Sequence, residues 1–202
     1  DGFTNPLVAG YDFINNDTDP ADDEGHGTHV AGTVCQTTNN GIGVTGVAFD
    51  CQLMAVKVLG ADGFGSVETV SNGIRFAADN GAQVINLSLG RPPLSGPSPT
   101  EQAAVQYAVN GGVVVVASSG NDGSRQGVSY PARYDEAIAV GATRFDKGVP
   151  SYSNRGAGLD LVAPGGDNKD QNGDVYIDGV LQETFGAGGA WAYWFYIGTS
   201  QA

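Results

Sequence analysis

The run Val113-Val114-Val115-Val116-Ala117 constrains the fold more tightly than any other stretch of the chain. Four consecutive β-branched residues leave no polar alternation, so they predict a strand buried on both faces, as in parallel sheets covered by helices. Just upstream, Ser98-Pro99-Thr100-Glu101 reads as a capping box with proline at the first helical position. The helix that follows turns Ala104, Val105 and Ala108 inward and stops at Gly111-Gly112. The same order recurs earlier in the chain. A small-residue helix from His26 to Cys35 precedes a strand over 53–59. A helix capped by Ser66, with Val67, Val70, Ile74 and Ala77 on one face, ends at Gly81 and precedes a strand over 83–89. Two more strands are predicted over 137–142 and 159–163. Helices alternating with apolar strands imply an α/β fold: three layers, doubly wound, a mostly parallel sheet with helices on both faces. Ligands of such sheets lie beyond the carboxyl ends of the strands. Asn121 follows the Val113–Ala117 run at such an end.

Length and composition restrict the function classes. The 202 residues suit one domain with a substantial core. With 9 Lys+Arg against 22 Asp+Glu, the net charge of −13 argues against partners such as nucleic acid or an anionic membrane. No stretch approaches the roughly 20 apolar residues of a membrane span, and the apolar 190–197 segment is far too short. The acids cluster at 12–24 and 167–178, which suggests local cation sites as well as solubility. The two cysteines, Cys35 and Cys51, form either one disulfide, as in an exported protein, or a pair of buried thiols. Nothing places either thiol beside a base, which favours the disulfide.

Three motifs carry chemistry. Gly25-His26-Gly27-Thr28-His29 puts a histidine at a helix start, Gly198-Thr199-Ser200 puts a serine after a glycine turn, and Ser118-Ser119-Gly120-Asn121 lies between them. A serine hydroxyl is too weak an acid to attack a peptide carbonyl until a base takes its proton. An amide N–H₂ can stabilise the oxyanion that results.

In this order the motifs resemble those of subtilisin-like serine proteases, and the likeness runs from Gly10 to Ala202. The resemblance implies His26 as general base, Ser200 as nucleophile opening a helix, Asn121 in the oxyanion hole, and His29 as a structural residue. Gln201 departs from the family's usual methionine. The family's aspartate sits in an Asp-Thr-Gly or Asp-Ser-Gly turn, and no such turn precedes His26. The resemblance therefore implies that residues 1–202 are a partial peptidase catalytic domain, truncated at both ends and inert alone, with the aspartate upstream of Asp1.

By the same resemblance Ser88-Leu89-Gly90 lines the pocket for the residue before the scissile bond, and Gly63-Phe64-Gly65 pairs with extended substrate opposite it. Arg91 stands where the family often has glycine. Partners are then polypeptide substrates, bound by strand addition. Three stretches are expected to take structural Ca²⁺, a hard cation that wants six to eight oxygens. The first, Asp12, Asn15, Asp17 and Asp19 with Asp22 or Asp23, is similar to a calcium loop of the thermitase branch. The second is the 37–44 loop with Asn40 and Asp1. The third, Asp170, Asn172, Asp174 and Asp178, has EF-hand-like spacing, but Val175 replaces the turn glycine and no glutamate closes it. The resulting expectation is a secreted, monomeric, calcium-stabilised serine endopeptidase. A noncatalytic peptide-binding relative is the alternative. An α/β-hydrolase esterase is disfavoured, because its serine elbow precedes the histidine.

Overall fold

The computed structural model describes residues 7–186 and 188–202, which fall into two compact units. The first comprises residues up to Gly73 together with Leu181–Phe195. Its strands β1 (Leu7–Asp12) and β2 (Leu53–Lys57) pair in parallel, with a register shift between Val8 and Tyr11. Between them lies helix α1 (His26–Cys35), as the small-residue run predicts.

The start of α1 shows why the chain turns helical there. Gly25 caps it with a φ of +101°, a left-handed conformation that glycine adopts without a Cβ penalty. Gly25 has no side chain to cap with, and Asp22 supplies the acceptor instead. One carboxylate oxygen accepts from the N–H groups of Glu24 (2.9 Å) and Gly25 (3.0 Å). The other accepts from the Thr28 N–H (2.8 Å) and hydroxyl (2.7 Å). A carboxylate there satisfies orphan donors and complements the helix dipole. Cys35, fully buried near the far end, forms a disulfide with Cys51.

Helix α2 (Val67–Asp79) begins in the first unit and ends in the second. The second unit holds a four-stranded parallel sheet in sequence order: β3 (Val84–Leu87), β4 (Val114–Ser118), β5 (Ile138–Thr143) and β6 (Leu161–Pro164). Helix α3 (Pro99–Asn110) links β3 to β4 and buries Ala104, Val105 and Ala108 completely. The Ser98 hydroxyl accepts from the Glu101 N–H (3.5 Å), so half of the capping box forms. The other half does not: the Ser98 N–H donates to the Tyr134 hydroxyl (2.9 Å), and the Glu101 carboxylate goes elsewhere.

Burial along the valine run is uneven. Val115 and Ala117 are 1% exposed, whereas Val114 is 44% exposed. Strand register puts Val84, Val114, Ile138 and Leu161 on one side, where they are exposed, while Ser118 and Val140 on that same side are buried. Strands β7 (Val180–Phe185) and β8 (Trp191–Tyr196), which sequence periodicity did not reveal, pair as a separate sheet. Among the described residues no helix is long and apolar enough to cross a membrane.

Candidate active site

In the second unit the chain leaves β4 at Ser118 and enters the Ser119–Ser124 loop, which a single buried side chain organises. Asn154, fully buried, accepts from the N–H groups of Asp122 (3.1 Å) and Ser124 (2.8 Å) through its amide oxygen. Its amide nitrogen donates to the Ser119 carbonyl (3.0 Å), the Asp122 carboxylate (3.1 Å) and the Ser129 hydroxyl (3.2 Å). Gly120, with a φ of +100°, passes so close to this hub that a Cβ would collide with Ser129 Oγ and Asn154 Nδ2. Nothing in the sequence marks Asn154, because its partners lie about thirty residues away.

The loop delivers Asn121 to Thr199. The Thr199 N–H and hydroxyl both donate to Asn121 Oδ1, each at 2.9 Å, and the Gly120 N–H donates to the Thr199 hydroxyl at 3.1 Å. With its oxygen held from two directions, the Asn121 amide has a fixed orientation, and its Nδ2 is the group left to serve a ligand. Thr199 is 2% exposed. Its role was not apparent from the sequence, where it read as the middle residue of a glycine turn.

Ser200 lies at the next position. Ser88 Oγ donates to the Ser200 carbonyl at 2.7 Å, and Ser200 Oγ donates to the Ser88 carbonyl at 3.4 Å. A cavity of about 240 Å³ opens here, lined among others by Leu89, Gly90, Gly120, Asn121 and Ser200. The structure thus brings together Ser200, Asn121 and the 88–90 segment from distant parts of the sequence. The expected helix at Ser200 is a turn within the described residues, closed by the Gln201 N–H donating to the Gly198 carbonyl (3.3 Å).

Arg91 is not among the residues that line this cavity. Its guanidinium bonds to the nearly buried Glu101 carboxylate (2.7 Å) and the Gly96 carbonyl (3.2 Å), and it lies over the Tyr130 ring. Tyr134 donates to the same carboxylate at 2.9 Å. Burial, with Glu101 adding to it, pushes the Tyr134 hydroxyl up to about 12.

In the first unit, His26 opens α1 half-buried, and its N–H donates to the Glu24 carboxylate (2.9 Å). Burial holds its imidazole below the ordinary value, while Glu24 and then Asp22 pull the other way. His29 is fully buried, with Nε2 3.1 Å from the Trp194 carbonyl, as befits a structural residue. The 63–65 segment forms an exposed turn: the Phe64 ring is 78% exposed, and the Phe64 N–H donates to the Asp62 carboxylate (3.0 Å).

The three expected calcium loops differ in what they offer a cation. Among the described residues, no group of three or more His, Cys, Asp or Glu side chains is arranged to hold a metal. In the first loop Asp12 is fully buried and accepts from the Ile14 N–H (2.6 Å), the Asn15 N–H (2.9 Å) and the Asn15 side-chain amide (2.9 Å). Asp17 accepts from the Asp19 N–H, and Asp19 from the Ala21 N–H. These residues do not fit a calcium ion. In the third loop Asp170 accepts from the Gly173 and Val175 N–H groups, Asn172 from Asp174, Asp174 from Tyr176, and Asp178 from Gln171. Those oxygens tie the loop to itself, and Val175 takes a φ of +73°, the left-handed conformation the missing glycine would supply. The second loop differs in shape rather than in free side-chain oxygens. Residues 37–45 line a depression of about 280 Å³, Asn40 among them. Asn40 Oδ1 accepts from the Ile42 N–H (3.0 Å). Asp1 lies outside the described residues.

The subtilase family profile matches residues 4–202. The chain belongs to the subtilase family. It is 51% identical over 159 residues to subtilisin BL of Lederbergia lenta, covering 79% of this chain and 57% of that protein. Thermitase of Thermoactinomyces vulgaris is 46% identical over 159 residues, again 79% of this chain and 56% of the relative. This subtilase therefore spans little more than half the length of those relatives. A solved protease of Pseudoalteromonas arctica superposes with a TM-score of 0.86 at 32% identity, covering 97% of this chain and 68% of that one. A cold-adapted subtilisin-like serine proteinase superposes with a TM-score of 0.77 at 34% identity, covering 99% and 64%.

Proposed function

We propose that the protein is a serine endopeptidase that hydrolyses peptide bonds through an acyl-enzyme on Ser200. His26 takes the Ser200 proton as Oγ bonds to the substrate carbonyl carbon, and the carbonyl electron pair moves onto oxygen. Asn121 Nδ2 and the Ser200 N–H donate to that oxyanion. As the intermediate collapses, the imidazolium gives its proton to the departing amine. Water, deprotonated by His26, then releases the acyl group and regenerates the serine. Burial of His26 supports the base role, because a lowered value keeps the imidazole neutral at neutral pH.

The observation that carries the reading is the double anchoring of Asn121 Oδ1 by Thr199 beside Ser200. It preorganises an amide donor before substrate arrives, and preorganised donors are what oxyanion stabilisation requires. Substrates are polypeptides, with the main chain pairing to the 88–90 and 63–65 segments and a side chain entering the cavity lined by Leu89 and Gly90. Calcium is held structurally by the 37–45 loop with Asn40. The enzyme acts outside the cell as a monomer, in keeping with the Cys35–Cys51 disulfide.

The test is peptide hydrolysis by the full-length protein and two variants. Ser200→Ala and His26→Ala should each reduce turnover by several orders of magnitude with folding intact. Hydrolysis undiminished in Ser200→Ala overturns the assignment.

A further inference from the structure

We infer that the 12–24 loop carries its own tethered cation, the Lys57 ammonium, in place of the calcium ion that the likeness to thermitase-type loops leads one to expect. Lys57 ends β2 and is the register partner of Asp12 at the end of β1, so the strand pairing aims its side chain into the loop. Its Nζ lies 2.5 Å from Asp23 Oδ2, 3.3 Å from the Ala21 carbonyl and 3.5 Å from Asp12 Oδ2. The Lys57 side chain is 10% exposed and that of Asp12 is 1% exposed. A positive charge so placed has three oxygens from the two ends of one loop, two of them carboxylate.

The remaining bonds of Asp12 reinforce the assignment. Oδ1 accepts from the Ile14 and Asn15 N–H groups, and Oδ2 takes the Asn15 amide as well as Lys57. Calcium at 2.3–2.6 Å would have to displace the ammonium and reorient a carboxylate already committed on both oxygens. Burial alone would make the Lys57 ammonium a weaker cation, but the Asp23 bond and charge, followed by Asp12, outweigh it and raise its value. Lys57 is therefore held as the ammonium.

The arrangement has a consequence for the histidine. Asp23 is held by Lys57, and its neighbour Asp22 caps the helix that His26 opens. A covalently attached cation keeps that segment in place whatever the free calcium concentration, whereas a bound ion stabilises only in proportion to its occupancy.

The experiment uses the full-length protein in a Ser200→Ala background, to prevent autolysis. Limited proteolysis by an added protease is followed in 10 mM Ca²⁺ and in EDTA, with cleavage sites mapped by mass spectrometry. The proposal expects no change in cleavage within residues 12–24 on chelation. New EDTA-dependent cleavage there overturns it. Lys57→Ala is expected to lower the melting temperature in EDTA by roughly 10 °C. Calcium should then raise the melting temperature of Lys57→Ala by more than that of the parent, because the Asp12 and Asp23 carboxylates and the Ala21 carbonyl are vacated. Lys57→Arg, which keeps the charge, should behave as the parent. Equal calcium responses in parent and Lys57→Ala overturn the proposal. Should Lys57→Ala fail to fold in either condition, the chelation experiment on the parent decides alone.

Discussion

Ser88 and Ser200 exchange hydrogen bonds: each hydroxyl donates to the other's backbone carbonyl, at 2.7 Å from Ser88 and 3.4 Å from Ser200. The shorter bond fixes the backbone that carries the proposed nucleophile to the end of β3. The longer one is easily surrendered when the Ser200 hydroxyl turns to a base. Ser88→Ala should therefore lower kcat by about fivefold, the worth of one ordinary hydrogen bond, with little change in stability. Ser88→Thr, which keeps the hydroxyl, should retain most of the activity. Steady-state kinetics on a peptide substrate checks both.

In the proposed mechanism Thr199 positions the Asn121 amide that donates to the oxyanion. Thr199→Val removes one of two donors to Asn121 Oδ1 and the acceptor of the Gly120 N–H, loosening the amide, which the Thr199 N–H alone still holds. We expect kcat to fall by roughly tenfold or more while KM changes little. The upper bound is complete loss of the donor in Asn121→Ala, roughly 10²–10³-fold, the figure known for loss of such a donor in subtilisin. Thr199→Ser should restore activity. A Thr199→Val enzyme with unchanged kcat would contradict this role.

Asn154 is the structural centre of the Ser119–Ser124 loop. Asn154→Ala leaves the Asp122 and Ser124 N–H groups without their acceptor, while the Ser119 carbonyl keeps the Ser129 N–H. The expected cost is about 2–4 kcal/mol in unfolding free energy, measured by chemical denaturation. Activity should fall as well, because Asn121 rides on the same loop.

The acid limb of the pH profile should report His26. In the proposed mechanism the neutral imidazole is the base, so a value lowered by burial puts the midpoint below the ordinary imidazole range, and kcat/KM falls only as the pH drops through it. Glu24 stabilises the imidazolium and so raises the value. Glu24→Gln removes that charge and should move the limb to still lower pH. Movement of the limb to higher pH would contradict the electrostatic account.

Local patterns were legible in the sequence, and remote partnerships were not. The α1 and α3 boundaries followed from small-residue and capping signals, and the Ser98 cap formed as read. Glu101 did not complete the box because Arg91 and Tyr134, far off in sequence, offer its carboxylate a cation and a hydroxyl in a buried place. The valine run located β4 but not its environment, since coverage of each face depends on which elements pack there. Ser200, Asn121 and the 88–90 segment were recognisable from motifs, while Thr199 and Asn154, which hold them, carry no local signature. Acidic spacing suggested calcium at the 12–24 loop. It could not reveal that β-strand register sends Lys57 into the same carboxylates.

The central claim is that Ser200 is the nucleophile. Its most direct measurement is fluorophosphonate labelling of the full-length protein, followed by mass spectrometry of the digested adduct. We predict a single phosphonyl group on Ser200, formed at a rate that collapses in His26→Ala and absent from Ser200→Ala. Stoichiometric labelling of a different residue, or undiminished labelling of Ser200→Ala, would contradict the account.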